Sequence, residues 1–393
     1  MRATRPFFLL LVFIGTAAVV NGQEPPAPTP TPSPGSEVSP TPEAPAETPP
    51  EPSPTELPAP VEAPAAAAVQ NPTYFNPAIA VIGNFLGVSG KNPIEDRPSL
   101  EMRESEISFQ AIVDPFARAD FFVAVTNEEV ELEEGFITFT SLPGDLLIKV
   151  GKFKAQIGKV NLMHLHMLPW ADVPLPNENL IGGDEGWNDA GVSVARLFPL
   201  PGDTFSELVL QVFRGESEGL FEAPSRNDLA YLAHYRAYRD FGDDHNLELG
   251  STWGRGSNGT TDDARTTLEN LHLVYRWKPL TGRPYRQFIL RSELTRSRRE
   301  QPEGKQSARG FFVGADYRLS RRWWAGGRYE FADHADDDTA RDRGEAVTLT
   351  FWPSEFSQLR AEGRRRKYAG GVTANELLVQ LQFSIGAHGA HSF

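Results

Sequence analysis

Apolar and polar residues alternate along the last third of the chain in blocks of about ten residues. In the final block Leu377, Val379 and Leu381 share one parity, and Glu376 and Gln380 share the other. A hydrophobic period of two predicts β-strand. Because branched and aromatic residues occupy one face and Arg, Glu, Gln and Thr the other, the pattern predicts a transmembrane barrel with lipid outside and water inside.

The same alternation runs from Phe75 to the end of the chain in sixteen blocks. These blocks are centred on 78-86, 103-114, 117-127, 134-141, 145-154, 189-197, 206-213, 228-238, 244-254, 265-277, 286-298, 308-318, 322-332, 345-352, 356-367 and 374-386. Short connections alternate with long polar ones at 87-102, 155-188, 255-264 and 333-344. This asymmetry is typical of outer-membrane barrels. We therefore predict an all-β fold over residues 71-393, a transmembrane antiparallel β-barrel of about 16 strands.

Arginine identifies the face of each strand that lines the interior. An Arg at the bilayer midplane costs about 2 to 4 kcal/mol on the lipid face, so the parity that carries Arg must face the lumen. The rule assigns these charged residues to the pore: Arg236, Arg276, Arg291, Arg318, Arg328, Arg360, Arg364, Glu248, Glu293, Asp316, Glu330 and Glu362. A barrel of about sixteen strands encloses an aqueous channel, and the excess of Arg over acidic residues in this set predicts a mild anion preference. The alternative is that these charges pair and only solvate the wall.

The N-terminal 70 residues have a different character. Residues 1-22 carry Arg2 and Arg5 before an apolar run, which predicts a secretory signal peptide. Residues 23-70 hold 16 of the 33 prolines, seven Glu and no basic residue. Such a composition predicts a disordered Pro/Glu-rich linker in the periplasm, acting as a spacer or as a contact to peptidoglycan.

Composition excludes several classes of protein. The absence of Cys rules out disulfides, thiolate metal sites and a lipoprotein anchor. A formal net charge of -14 argues against nucleic acid as a partner. No segment after the signal offers the roughly 20 continuous apolar residues that a membrane helix needs.

The longest connection, 155-188, is the most distinctive part of the chain, and loops of this length are usually functional. Gly151-Lys152-Phe153 precedes it, Ile157-Gly158-Lys159 lies at its start, and Gly186-Trp187-Asn188-Asp189-Ala190-Gly191 closes it. These motifs resemble the strand ends around the constricting loop of the phosphate-selective porin family and its relatives. No Lys or Arg lies between Lys159 and Arg196, so the sequence lacks the basic loop that phosphate selection implies.

The resemblance implies a bacterial outer-membrane porin for passive diffusion of small hydrophilic solutes or ions, with loop 155-188 narrowing the lumen. Its implied partners are outer-membrane lipid and lipopolysaccharide, the barrel-assembly machinery and small polar solutes, and a homotrimer is common among such porins. The implied location is the outer membrane of a diderm bacterium. Phe393 lies on the lipid parity of the last strand, and an aromatic C-terminus resembles the signal that the barrel-assembly machinery reads.

Loop 155-188 also carries candidate metal ligands. They are His164, His166, Asp172, Glu178, Asp184 and Glu185. Two imidazoles and a carboxylate can bind Zn²⁺. Because His-x-His has no fixed third ligand here, we predict hydrogen-bonded anchoring of the loop and no cofactor. A zinc-uptake channel or receptor-like barrel is the alternative.

The sequence argues against two other classes of function. Ser257 in the motif Gly256-Ser257-Asn258-Gly259 lacks a His base, since Gly254 stands where it is needed, so we predict no enzyme activity. A secreted all-β carbohydrate-binding or adhesion protein would share the signal, linker and alternation. It would not place a polar face inside sixteen strands with Leu, Tyr and Trp outside.

Overall fold

The computed structural model describes residues 77–261, 263–282 and 285–386. The predicted signal peptide 1-22, the linker 23-70 and Phe393 lie outside the described residues. Within them, sixteen β-strands form. Their bounds are β1 Ala78–Lys91, β2 Leu100–Asp114, β3 Ala117–Val125, β4 Val130–Leu142, β5 Leu146–Lys154, β6 Asn188–Leu200, β7 Thr204–Phe213, β8 Ala230–Phe241, β9 His245–Ser257, β10 Arg265–Trp277, β11 Phe288–Gln301, β12 Gly304–Arg318, β13 Trp323–Asp333, β14 Arg341–Ser354, β15 Ser357–Lys367 and β16 Thr373–Gly386.

The strands close into one antiparallel barrel. Each strand pairs with its neighbours in the chain, and β1 pairs with β16, with Phe85 opposite Leu381 and Gly87 opposite Val379. Closure leaves no open sheet edge, as a strand structure in lipid requires. The prediction of a sixteen-stranded all-β barrel is confirmed.

Connections at the two ends of the barrel differ in length. At one end they span 115–116, 143–145, 201–203, 242–244, 278–287, 319–322 and 355–356. At the other they span 92–99, 126–129, 155–187, 214–229, 258–264, 302–303, 334–340 and 368–372. At this second end the strands are longer, and the connections shorter, than the sequence predicted. The connection predicted at 87-102 spans only 92–99, because β1 runs to Lys91 and β2 starts at Leu100.

Helical structure is limited to short pieces in the connections. Between β5 and β6 lie the 3₁₀ helices Val160–Leu162 and Leu165–Met167 and the α-helix α1, Leu175–Leu180. A third 3₁₀ helix, Ala369–Gly371, lies between β15 and β16. In the described part of the chain, no helix has the length and apolarity needed to cross a bilayer.

The two faces of the strands differ as the Arg rule predicts. Leu271 is 55% exposed on the outer face of β10, whereas its neighbours Asn270 and His272 are 1% and 3% exposed on the inner face. In β15 the inner parity holds the buried residues Gln358, Arg360, Glu362, Arg364 and Arg366. The outer face is thus apolar and exposed across many strands.

Strand β4 breaks this alternation at a β-bulge. The register slips between Phe122 and Val123, which face Glu134 and Leu132, so that Glu133 is the extra residue. Glu133 and Glu134 are therefore both buried on the inner side although they are adjacent in sequence. Period two alone therefore does not assign the facing of this strand.

Candidate functional site

Segment 155–187 folds into the barrel between β5 and β6. Its two ends are joined at the wall, where the Ala155 N–H donates to the Trp187 carbonyl at 2.8 Å. The Asn161 amide ties the same ends together: its Nδ2 donates to the carbonyls of Ala155 (2.8 Å) and Trp187 (3.1 Å), and its Oδ1 accepts from the Trp187 N–H (2.9 Å). The segment thus leaves and rejoins the wall through a narrow, hydrogen-bonded base.

Aromatic packing fixes that base. Trp187 lies 5.1 Å from the Phe213 ring and 4.8 Å from the Phe221 ring, centroid to centroid. Phe221 belongs to the connection 214–229, so a second connection packs inward at this point. Ile157 and Ile181 complete a fully buried cluster with these rings. Burial of these large side chains supplies the hydrophobic part of the attachment.

Beyond the base, the segment binds the wall formed by β9 and β11. Gly158 has φ of +59°, a conformation that favours glycine, and it turns the next two backbone N–H groups toward Glu293. The N–H groups of Lys159 and Val160 donate to Glu293 Oε1 at 2.8 and 3.0 Å. Lys159 Nζ donates to Glu248 Oε1 at 2.9 Å. Glu293 is therefore an anchor for the segment.

The tip of the segment reaches the opposite wall. In a ring of sixteen strands β13 lies eight strands from β5 in either direction, so the two are diametrically opposed. Asp172 accepts hydrogen bonds from Arg328 of β13 (2.6 Å) and from Arg364 and Arg366 of β15 (2.8 and 2.9 Å). All four side chains are almost completely buried. The segment therefore spans the barrel interior.

Residues next to Asp172 strengthen this far contact. The Trp170 ring lies 5.4 Å from the Phe312 ring and 4.8 Å from the guanidinium carbon of Arg328. A Cβ on Gly314 would stand 2.5 Å from Trp170, so only glycine admits this ring. Arg360 Nη1 donates to the Trp170 carbonyl at 2.7 Å, and Glu362 accepts from the Ala171 N–H at 2.9 Å.

Further acidic groups surround the three arginines. Glu330 pairs with Arg328 at 3.0 Å, Glu376 with Arg364 at 2.5 Å, and Glu178 of α1 with Arg366 at 2.8 Å. From the connection 92–99, Glu95 pairs with Arg364 at 2.9 Å and Arg366 at 2.8 Å. Most of the charged side chains at this wall therefore form ion pairs beneath segment 155–187.

On the β2 and β4 side the segment presents its two histidines. His164 Nδ1 lies 2.5 Å from Glu106 Oε2 and 3.0 Å from Glu133 Oε2, and its Nε2 lies 2.7 Å from Glu134 Oε1. His166 Nδ1 lies 3.5 Å from Glu104 Oε1 and 3.7 Å from Glu106 Oε2. Both histidines thus contact carboxylates of the wall, and the loop-anchoring role predicted for them stays a prediction.

The charges assigned to the pore from the sequence fall into two groups. One group is buried under the segment and pairs with it or with one another; its members are Glu248, Glu293, Arg328, Glu330, Arg360, Glu362 and Arg364. The second group is partly exposed and lies nearer the end with short connections. It consists of Arg236, Arg276 and Arg291, with Asp316 beside them. Arg318 lies at that same end, where it donates to the Arg321 carbonyl.

The remaining charged residues of the segment have separate roles. Asp184 pairs with Arg103 at 3.2 Å, and Arg103 also donates to the Ala171 carbonyl at 2.7 Å. The Glu185 side chain is exposed, while its carbonyl accepts from Lys154 Nζ at 3.2 Å. The structure thus separates the candidates: His164 and His166 face β2 and β4, whereas Asp172 and Glu178 meet the arginines.

Sequence reasoning missed the wall partners of the histidines. Glu104 and Glu106 are two apart on the inner parity of β2, which period two identifies as inward. Glu133 carries no such signal because it occupies the bulge. Lys159 and Glu95 lie in connections, where strand periodicity does not apply.

Comparison with solved structures places this fold among outer-membrane channels. The anion-selective porin from Comamonas acidovorans matches with a TM-score of 0.53 and 11% identity, over 79% of this chain and 98% of the other. The outer-membrane channel DcaP of Acinetobacter baumannii matches with a TM-score of 0.52 and 11% identity, over 79% and 96%. OprB of Pseudomonas putida gives 0.52 and 10% identity, over 79% and 94%. These likenesses establish a shared barrel fold.

By sequence, the chain is 25% identical to an uncharacterized protein of Aquifex aeolicus (strain VF5) over 346 residues, covering 76% of this chain and 71% of that protein. No family model matches the chain. The fold is therefore that of outer-membrane porins, and the finer resemblance to phosphate-selective porins stays a prediction.

Proposed function

We propose that this protein is an outer-membrane porin of a diderm bacterium, through which small hydrophilic solutes diffuse passively. The observation that carries the proposal is a closed sixteen-stranded barrel whose interior is crossed by one segment of its own chain. An apolar outer face meets lipid, and a polar inner face meets water. Transport in such a channel follows the solute gradient.

Segment 155–187 forms the constriction. It spans the interior from β5 to β13 and β15, so solutes must pass beside it. Its backbone contacts with Glu293, and the contacts of its Asp172 with the three arginines, hold it at fixed positions along its length. A constriction held by several buried ion pairs has a defined cross-section, which gives the channel a size limit.

The exposed charge beside the constriction favours anions. Arg276 keeps a third of its side chain exposed (33%), whereas its partner Glu248, 3.5 Å away, is 5% exposed. Arg291 is 19% exposed and its partner Asp316, 2.6 Å away, is 11% exposed, whereas Arg236 and its partner Glu207 are both 21% exposed. In two of these three pairs the guanidinium is therefore more exposed to water than the carboxylate, and charged side chains along a pore set its selectivity.

Reversal potentials in planar bilayers under a KCl gradient test this proposal. We expect weak anion selectivity for the wild type and a shift toward cations in the double variant Arg276→Gln/Arg291→Gln. Arg298→Gln is the matched control, because Arg298 is an exposed arginine of β11 on the opposite parity from Arg291. Cation selectivity of the wild type would contradict the anion preference while leaving the channel intact.

The same fold supports an orientation in the membrane and a state of assembly. β1 begins and β16 ends at the side with short connections, which in outer-membrane barrels is periplasmic. We place the linker 23-70 in the periplasm on this ground, and lipopolysaccharide at the longer connections. OmpT of Vibrio cholerae, which has the same fold with a TM-score of 0.53, has been solved in a trimer form. A homotrimer is our proposal here, and light scattering of the detergent-solubilised protein measures it.

A further inference from the structure

A second buried cluster lies at β2, three strands around the ring from β15 and separate from the arginines that hold Asp172. Glu104 and Glu106 project inward from β2, two residues apart, and His166 comes down on them from the second 3₁₀ helix of the segment. One ligand atom from each of the three lies within 4.8 Å of the other two, and all three side chains are buried. Two carboxylates and an imidazole form a recognised donor set for divalent transition metals.

The separations within this trio fit a shared ion. His166 Nδ1 is 3.5 Å from Glu104 Oε1 and 3.7 Å from Glu106 Oε2. Hydrogen bonds to nitrogen are shorter, at about 2.7 to 3.2 Å. Donors bound at about 2.1 Å to one tetrahedral ion are separated by about 3.4 Å, close to both measured distances.

Charge balance points the same way. Glu104 is 4% exposed, and within the described part of the chain neither of its oxygens accepts a hydrogen bond. Among the described residues, Glu104 forms an ion pair with His166, and Glu106 forms ion pairs with His164 and His166. Lys154 pairs with Glu133. A buried carboxylate without a full counter-charge is costly, and a divalent cation would offset that cost.

His164 differs from His166 in its contacts. Its Nδ1 and Nε2 lie at hydrogen-bonding distances of 2.5 to 3.0 Å from Glu106, Glu133 and Glu134. An imidazole that holds the carboxylate ligand of a metal orients that ligand and tunes its affinity. His164 is thus a positioning residue for Glu106.

We propose that Glu104, Glu106 and His166 bind a divalent transition-metal ion of the Zn²⁺ class, with His164 holding Glu106 in place. The ion fastens segment 155–187 to β2, as Asp172 fastens it to β13 and β15. Because all three ligands are buried, the ion is resident in the barrel wall and is separate from the solutes that pass.

Zinc binding to the detergent-folded full chain tests the proposal. After chelator treatment and dialysis, ZnCl₂ is titrated by calorimetry and bound zinc is counted by mass spectrometry. We expect one Zn²⁺ per barrel in the wild type. Affinity falls by at least about 100-fold in His166→Gln and Glu104→Gln, and by about 10- to 100-fold in His164→Gln.

His334→Gln is the matched control, because His334 lies 2.9 Å from one carboxylate, that of Asp342, at a site with no trio of donors among the described residues. Its zinc affinity should equal that of the wild type. Folding of every variant is checked by heat-modifiable gel mobility. A folded wild type that binds no zinc, or a folded His166→Gln variant that binds it as tightly, overturns the proposal. Neither result depends on conductance, so the porin proposal is tested separately.

Discussion

Removing the charge of Asp172 probes the attachment of segment 155–187 to the far wall. Asp172→Asn keeps the side-chain volume but withdraws the negative charge from Arg328, Arg364 and Arg366, which approach it at 2.6, 2.8 and 2.9 Å. Loss of one partner from a buried ion pair costs about 3 to 5 kcal/mol. Each arginine keeps another carboxylate, so we expect the lower end, about 3 kcal/mol.

A loss of about 3 kcal/mol raises the population of detached segment by about 150-fold. The strand pairing of the barrel does not involve Asp172, so the barrel itself should persist. We therefore expect a folded barrel with larger and noisier single-channel conductance. Trp170, fully buried next to Asp172, should become accessible to acrylamide, measured as the difference from the same variant carrying Trp170→Phe.

Asp184→Asn is the control for this experiment. Asp184 lies on the same segment and, among the described residues, forms an ion pair with Arg103. The Asp184 side chain is 44% exposed. Exposed pairs contribute about 0 to 1 kcal/mol, so conductance and quenching should stay near wild type. Equal conductance and equal Trp170 quenching in Asp172→Asn and the wild type would refute the view that this ion cluster holds the constriction.

Three further predictions follow from other parts of the barrel. Gly314→Val should drive Trp170 from its position, since a Cβ there meets the ring at 2.5 Å, and overpacking of this kind costs about 1 to 3 kcal/mol. Faster proteolysis of segment 155–187 measures the effect. Gly363→Val is the control, because a Cβ on Gly363 meets only Val347, at 3.6 Å. Leu271→Arg should lower the free energy of folding into vesicles by about 2 to 4 kcal/mol in urea titrations, and a loss no greater than that of Leu271→Ala would contradict the lipid-facing assignment. Burial by itself would raise the pKa of Glu95, but the charges of Arg366 and Arg364 and the Tyr368 hydroxyl lower it to about 2 from its ordinary 4.5. Its stabilising contribution is therefore complete above pH 4.5 and lost as pH falls toward 2, so the stability difference between wild type and Glu95→Gln should shrink over that window.

Strand periodicity predicted most of the barrel because lipid outside and water inside impose opposite chemistry on successive residues. In β14 and β15, for example, Val347 and Leu349 face out while Arg360 and Arg364 face in, with no interruption. Period two does not assign the facing of a strand where that contrast fails. At β4 the bulge places Glu133 and Glu134 on one side, and at β6 the inner residues Ser193 and Ala195 are too small to distinguish the faces.

The contacts of the segment could not be predicted from sequence. Asp172 meets arginines that lie 156, 192 and 194 positions away, and no local pattern encodes such a pairing. The length of the connection indicated that it is functional, but its partners depend on which strands lie opposite in the closed ring. The two histidines were identified as candidates, whereas their carboxylate partners required the fold.

Liposome swelling with sugars of graded size tests the central claim most directly, because it measures solute diffusion through the purified barrel. The account predicts rapid swelling with the smallest sugars and a steep decline with size, with the decline displaced to larger sugars in Asp172→Asn. Liposomes that contain folded barrel and do not swell even with the smallest sugar would contradict it.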